Sequence, residues 1–283
     1  GRKEEALGVY LRLAQGESPY ADDAALRAYL LAGELGNGEA RQEAYARLEG
    51  GLGLLVGKRP SPPPQALEAP PAPLTPLVEA LVRAGKAAWA RGEVRYALWR
   101  RPKDWPALVP LLYRLGAYRE GIRAAWPTAL AYPRAYREWV EGYAGKEGLD
   151  PDLLFALLHV ESPFDPKAVS PTGALGLAQF LRSTWADVAR MLGDPPAAPF
   201  DPESAIRYAA RYLRWLMERC AAFSGVERLA CAVTAYNGGI GYTLRGIARE
   251  GGLYAFLRFQ ERDEPREYLA KVLSAYAAYK AIP

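Results

Sequence analysis

Leu149 to Trp185 reads LDPDLLFALLHVESPFDPKAVSPTGALGLAQFLRSTW, and the reading of this run decides the reading of the whole chain. Asp150 followed by Pro151 is a strong helix start, because the carboxylate caps and the proline lacks only an N–H that has no helical partner there. Leu153, Leu154, Leu157 and Leu158 then recur at helical spacing, which predicts an apolar stripe. Glu161 lies four residues after Leu157 and three after Leu158, so it falls on that stripe and not on the solvent face. Pro163 and the Phe164-Asp165-Pro166 run end the helix just beyond it. The expectation is a carboxyl group at the last turn of a buried helix, facing a glycine-rich loop.

A free glutamate titrates near ~4.3 and is almost wholly ionised at neutral pH. Apolar surroundings disfavour the anion, and a value near about 6 would keep roughly a tenth of the groups protonated at pH 7. A proton donor at that pH is what cleavage of a glycosidic bond requires. The structural alternative is a glutamate that snorkels or pairs with an arginine such as Arg182. His159 stands two positions before Glu161, about 200° round a helix, and reads as packing on Phe155 with no part in proton transfer.

The loop that follows, Ser170-Pro171-Thr172-Gly173-Ala174-Leu175-Gly176-Leu177-Ala178-Gln179, has glycines that permit close backbone approach. Ser170 and Gln179 offer neutral hydrogen-bonding groups suited to hydroxyls and acetamides. The combined pattern, Glu161-Ser162-x-Phe164-Asp165-Pro166-x-Ala168-x-Ser170-Pro171-x-Gly173-Ala174-x-Gly176-Leu177-x-Gln179, resembles the soluble lytic transglycosylase family. Three more segments share the resemblance in order: Tyr212-Leu213, Ala235-Tyr236-Asn237-Gly238-Gly239, and Glu264-Pro265-Arg266-Glu267-Tyr268-Leu269. Tyr132-Pro133-x-x-Tyr136 matches a stretch that precedes the catalytic domain in that family.

The resemblance implies a lysozyme-like catalytic domain acting on peptidoglycan, with Glu161 as the single catalytic acid. It implies Ser170, Gln179, Tyr212, Tyr236, Asn237 and Glu264 as substrate contacts, and neither metal nor cofactor. Read from the residues alone, Tyr212 is also an ordinary boundary tyrosine, and Asn237-Gly238 is ordinary helix C-cap chemistry. The chain departs from the family pattern at Gly238, where alanine is usual, and at Pro265, where threonine is usual. Ala178 and Leu181-Arg182 stand where methionine and Met-Pro are common, which makes that subsite smaller.

At 283 residues and 50% hydrophobic composition the chain is long enough for two domains with ample core. No apolar run approaches membrane-span length, and membrane association is not evident. The net charge of +4 gives no nucleic-acid footprint, although 20 of the 36 basic residues lie in 1–139 against 15 of the 32 acidic ones. Cys220 and Cys231, with His159 as the lone histidine, fit no zinc motif; a disulfide and two small core residues are both open readings.

Residues 5–15, 21–35 and 39–55 read as helices, broken by Gly16-Glu17-Ser18-Pro19 and Gly36-Asn37-Gly38. Eight prolines between Pro60 and Pro76 predict an extended connector. Helical pattern returns at 77–90, 94–101, 106–115 and 118–126, as an irregular helical solenoid. Its tryptophans, Trp89, Trp99, Trp105 and Trp126, are expected mainly as core, with sugar stacking as the alternative. Ser183 to Leu192 reads as a helix stopped by Gly193-Asp194-Pro195-Pro196, and Asp201-Pro202 opens another running to about Ala222.

The expected architecture is all-α: a solenoid-like domain over 1–130 and a lysozyme-like domain over 131–283, with any strand short and between Ser170 and Gln179. The expected activity is lytic cleavage of peptidoglycan glycan strands in the periplasm or cell envelope, with no nucleic-acid partner. A lysozyme-type hydrolase would need a second carboxylate or a positioned water opposite Glu161; Asp165 and Asp187 are near in sequence, but neither holds a motif position that supports that role. A non-catalytic wall-binding scaffold is the third reading.

Overall fold

A computed structural model describes residues 1–16, 18, 20–66, 68–195, 198–260 and 263–282. Glu17 and Pro19 of the first expected break, and Pro196 of the expected stop, lie outside the described residues. Fifteen α-helices are present among the described residues. In order they are α1 (Arg2–Leu13), α2 (Ala21–Glu34), α3 (Gly38–Arg47), α4 (Thr75–Arg83) and α5 (Ala87–Arg100). Next come α6 (Trp105–Arg114), α7 (Tyr118–Ala125), α8 (Arg137–Glu147), α9 (Pro151–Glu161) and α10 (Arg182–Leu192). The last five are α11 (Pro202–Arg219), α12 (Gly225–Gly238), α13 (Ile240–Glu250), α14 (Leu253–Phe259) and α15 (Asp263–Ala281). Among the described residues the β pairing consists of two isolated bridges, Val169 with Leu175 and Leu175 with Phe180. The all-α expectation holds, and the strand-like pairing spans Val169 to Phe180, one residue beyond each end of the expected stretch.

The helix starts follow from their caps. The Asp152 amide donates to Asp150 Oδ1 at 3.0 Å, the Ser204 amide to Asp201 Oδ2 at 2.9 Å, and the Ala40 amide to Asn37 Oδ1 at 3.0 Å. Two expected helices are shorter. The helix predicted over 39–55 stops at Arg47, because Gly50-Gly51 and Gly53 favour a separate 3-10 turn, Gly51–Val56. The one predicted over 77–90 divides at Gly85, whose φ of +71° ends α4 and lets α5 begin two residues later.

Two compact units emerge, each assembled from separated segments. One comprises Gly1–Ser61, Glu147–Ala156 and Ala209–Lys280; the other comprises Pro62–Lys146 and Leu157–Tyr208, with the residues from Ala281 on. Residues 131–283 contribute to both. In the first unit, the Gly51 amide donates to Ser274 Oγ at 2.9 Å and Tyr254 Oη to the Leu55 carbonyl at 2.7 Å. Arg258 pairs with Glu34, and the Gly50 and Leu52 amides both donate to the Asp22 carboxylate at 3.0 Å. Cys220 and Cys231 form a disulfide with Cα atoms 6.0 Å apart, and both residues are fully buried. Of the two open readings, the disulfide is the one realised.

In the second unit, Val78, Ala90, Val94, Leu108 and Leu112 fill the core of α4 to α6. The Ala129 amide donates to the Pro64 carbonyl at 2.8 Å, which ties the proline-rich connector down. Three of the four tryptophans expected mainly as core are exposed instead: Trp89 by 67%, Trp99 by 72% and Trp126 by 62%. The helices here are short, and small and aliphatic residues already fill their inner faces. Trp105 is half-buried against the cluster of Val109, Ala125 and Ala131.

Candidate active site

Helix α9 is buried on every side from Leu153 to Leu158, and so is more than the one-sided stripe that the leucine spacing predicts. Glu161 is its last residue and is half-buried. The Ser162 amide still donates to Leu158, at 3.2 Å, and the Asp165 amide then donates to Ser162, at 3.0 Å. His159, two residues earlier, is buried; its ring stacks on Tyr132 with centroids 5.2 Å apart and meets the Phe164 edge at 6.0 Å. Phe155, the expected partner of that histidine, stacks on Tyr279 at 5.5 Å. Burial pushes the His159 imidazole down to about 4, so it is neutral at physiological pH.

The loop after Glu161 folds back on itself. The Gly176 amide donates to the Ala168 carbonyl at 2.8 Å, the Ser170 amide to Ala174 at 3.0 Å, and the Leu175 amide to Phe180 at 3.0 Å. Gly176 has φ +70°, and a Cβ there would stand 2.1 Å from the Pro199 carbonyl oxygen, so no other residue fits. Gln179 Nε2 donates to the carbonyls of Gly176 at 2.8 Å and Ala168 at 3.2 Å. Its amide nitrogen therefore braces the loop, and its carbonyl oxygen is the group left to meet a ligand. Ser170 Oγ accepts from the Ala174 amide at 2.9 Å and lies 2.9 Å from Thr172 Oγ1. Phe164 and Gln179, at φ +58° and +48°, hold left-handed backbone that non-glycine residues adopt at a cost of about 1–3 kcal/mol each. Such outliers in the stretch that follows Glu161 point to a loop shaped for a ligand.

The nearby acids have local duties. Asp165 Oδ1 accepts from the Lys167 amide at 2.9 Å, and Asp187 pairs with Arg190 one turn along α10.

Tyr212, Tyr236, Asn237 and Glu264 belong to the other compact unit, in which they form a connected group. The Tyr212 and Tyr236 rings meet at 5.5 Å with planes 63° apart, and Tyr212 stacks on Trp215 at 5.7 Å. Tyr236 is buried, and its ring lies parallel to that of Tyr268 at 6.4 Å. Asn237 Nδ2 lies 3.4 Å from Glu264 Oε1, as a donor to an exposed carboxylate. Gly238 touches Pro265: a Cβ on the glycine would stand 3.0 Å from Pro265 Cγ and 3.3 Å from Tyr242 Cδ1. Tyr268 and Trp215 carry no role in the sequence reading. Tyr268 lies within the segment from Glu264 to Leu269 that shares the family resemblance, so a signal existed; Trp215 had none beyond its place one helical turn after Tyr212.

An all-α fold with a glutamate ending a buried helix before a braced glycine loop places the chain in a lysozyme-like fold class. Residues 138–256 match the family described as "Transglycosylase SLT domain", so the chain carries that domain and the resemblance read from its motifs stands. It is 35% identical to membrane-bound lytic murein transglycosylase C of Salmonella typhimurium over 158 residues, 48% of this chain and 43% of the relative. It is 38% identical to membrane-bound lytic murein transglycosylase F 1 of Alkalilimnicola ehrlichii over 120 residues, 41% and 23% of the respective chains. The chain thus spans less than half the length of these curated relatives. Among solved structures, an inactive mutant of the lytic transglycosylase Slt from Pseudomonas aeruginosa aligns with TM-score 0.73 and 24% identity, over 99% of this chain and 49% of that one. The 70 kDa soluble lytic transglycosylase from Escherichia coli aligns with TM-score 0.74 and 21% identity, over 92% and 46%. These two likenesses establish the fold. Among the described residues no helix is long and apolar enough to cross a membrane.

Proposed function

We propose that the protein is a peptidoglycan lytic transglycosylase, cleaving the β-1,4 bond between muramoyl and glucosaminyl residues and leaving a 1,6-anhydromuramoyl end. The observation that carries the reading is Glu161, half-buried at the end of α9 inside the matched domain and followed by the braced loop. The catalytic module is assigned to 131–283, which contains the matched segment, and the helical region 1–130 to its support.

In this mechanism Glu161 donates its proton to the glycosidic oxygen as the C1–O bond breaks. A hydrolase of this kind uses a second carboxylate as nucleophile or base. Asp165, which accepts the Lys167 backbone amide, and Asp187, in an exposed pair with Arg190, hold no motif position that supports that role, and the reading is a route without a second carboxylate. The muramoyl sugar supplies its own trap: first its 2-acetamido oxygen, then its 6-hydroxyl. The deprotonated Glu161 takes the 6-hydroxyl proton as that oxygen bonds to the anomeric carbon, so the acid is regenerated and no water enters the products. Groups on one sugar need no assembly step, which gives the intramolecular attack a large effective-molarity advantage. Gln179 is proposed to meet the substrate through its carbonyl oxygen, and Tyr236 is a proposed substrate contact. Ser170, Tyr212, Asn237 and Glu264 are the remaining substrate contacts.

The substrate partner is the glycan strand, with no nucleic acid, and the working compartment is the periplasm or cell envelope. The buried Cys220–Cys231 disulfide supports an oxidising compartment, and the relatives' names place them at membranes.

Mass spectrometry of an early digest of purified sacculi tests the reading. The expected products carry 1,6-anhydromuramoyl ends, one water lighter than hydrolysis products. Glu161→Gln should keep the fold and lose ~10²–10⁴-fold in rate, the usual worth of a general acid. Reducing muramic ends in the majority would establish the lysozyme-type hydrolase, and an active Glu161→Gln enzyme would remove Glu161 as the acid.

A further inference from the structure

Between α5, α6 and α7 lies a cavity of about 620 Å³ that the proposed chemistry does not use. Arg95, Leu98 and Trp99 of α5 line it, with Trp105 at the start of α6 and Arg119, Glu120 and Arg123 of α7. Its volume falls inside the range of ligand sites, roughly 300–1,000 Å³. Its two indoles differ in support. Trp105 is held by the Val109, Ala125 and Ala131 cluster, whereas Trp99 stands 72% exposed at the rim beside Tyr96, with ring centroids 5.9 Å apart.

The charges are arranged just as unevenly. Glu120 pairs with Arg95, while Arg119 and Arg123 make no ion pair among the described residues. These two cations are four residues apart on one short helix, so they share a face and repel each other. The lining groups therefore leave two unbalanced positive charges beside an indole wall. An anion relieves the repulsion, and each guanidinium presents a planar fork that fits a carboxylate.

We propose that this cavity is a second, non-catalytic binding site for an acidic glycan, namely a muramoyl-peptide unit of the peptidoglycan strand. The C–H face of a pyranose packs on Trp99 and Trp105 as apolar surface, and the carboxylates of the unit meet Arg119 and Arg123. The assignment rests on the peptidoglycan reading of the active site. It adds a hold on the strand remote in sequence from Glu161. Exposed tryptophan and arginine also mark protein interfaces. The concave shape and net positive lining favour a small anionic ligand over a broad protein surface.

The test uses full chains carrying Glu161→Gln, so that the polymer survives, in co-sedimentation with purified sacculi. Added Trp99→Ala, and separately Arg119→Ala with Arg123→Ala, should each weaken binding roughly tenfold, about the worth of one charge-assisted or aromatic contact. In chains with Glu161 intact, the same substitutions should leave turnover of short soluble muropeptides unchanged. Circular dichroism should match the parent, since all three side chains are exposed. Parent-like sacculus binding by both variants overturns the proposal in favour of a protein-binding face. A chain with Glu161 intact that fails to cleave sacculi overturns the catalytic reading, and this site with it.

Discussion

Gly238 and Pro265 are separated by 27 positions, yet each is where the other's departure from the family pattern is accommodated. A methyl group on Gly238 would press to 3.0 Å from Pro265 Cγ, so the smaller residue makes room for the ring. Glycine within a helix costs about 1 kcal/mol against alanine, while overpacking costs about 1–3 kcal/mol. The second effect wins, and Gly238→Ala should destabilise by about 1 kcal/mol in urea unfolding. In a Pro265→Thr background that loss should vanish or become a gain. Additive effects, with coupling under about 0.3 kcal/mol, would mean that the contact is idle. Their adjacency was not legible in the sequence: the motif comparison marked both residues as unusual but could not say that they touch. His159 teaches the same. The helix pattern set it off the leucine stripe, and its burial and its stacking on Tyr132 depend on a turn some 27 residues away. Because its folded value is about 4 and its unfolded value about 6.5, the unfolded chain binds the extra proton between them. Stability is therefore full above pH 6.5 and falls as pH drops towards 4, by roughly 3 kcal/mol at most. His159→Gln should flatten that slope when urea midpoints are compared at pH 7 and pH 4.5. An equal slope in the variant would assign the acid loss to other groups.

Helices were the most legible feature, since their caps are local chemistry. Asp150, Asn37 and Asp201 each accept the backbone N–H that a cap should accept. The exposed faces were less legible, because a tryptophan at helical spacing looks the same whether or not a neighbour covers it. The turn from α11 to α12 shows how a connection left open in sequence is fixed in space. Cys220 lies just past α11 and Cys231 in the middle of α12, so the disulfide pins the turn. Arg228 holds it again, with Nε donating to the Phe223 carbonyl at 2.8 Å and a terminal nitrogen to Ala221 at 3.2 Å. A cross-link closing a loop of this size contributes about 3 kcal/mol. Cys220→Ala with Cys231→Ala should lower stability by about that amount. Reductant should produce the same loss in the parent and none in the variant; a parent indifferent to reductant would deny the bond its role.

Residues 1–61 share a compact unit with 209–280, and the bonds between them are specific: Gly51 to Ser274, Leu55 to Tyr254, Glu34 to Arg258. The resemblance read from the motifs predicts a boundary near residue 131 because motifs are encoded locally, whereas pairings of this span leave no local trace. Expressed alone, a 131–283 fragment loses those partners and should forfeit on the order of 5 kcal/mol, about the whole stability of a small domain. The fragment is expected to lack near-ultraviolet dichroism and a cooperative thermal transition; a sharply melting, active fragment would show that residues 1–130 are dispensable. The same bonds also set a clock. Gly51 and Ser274 are 223 positions apart, and ribosomes add ~5–20 residues each second. Tens of seconds thus separate the synthesis of Gly51 from that of Ser274. Through that interval the helical hairpins of residues 1–61 exist without their anchors, and a segment made well before its partners is finished only after them.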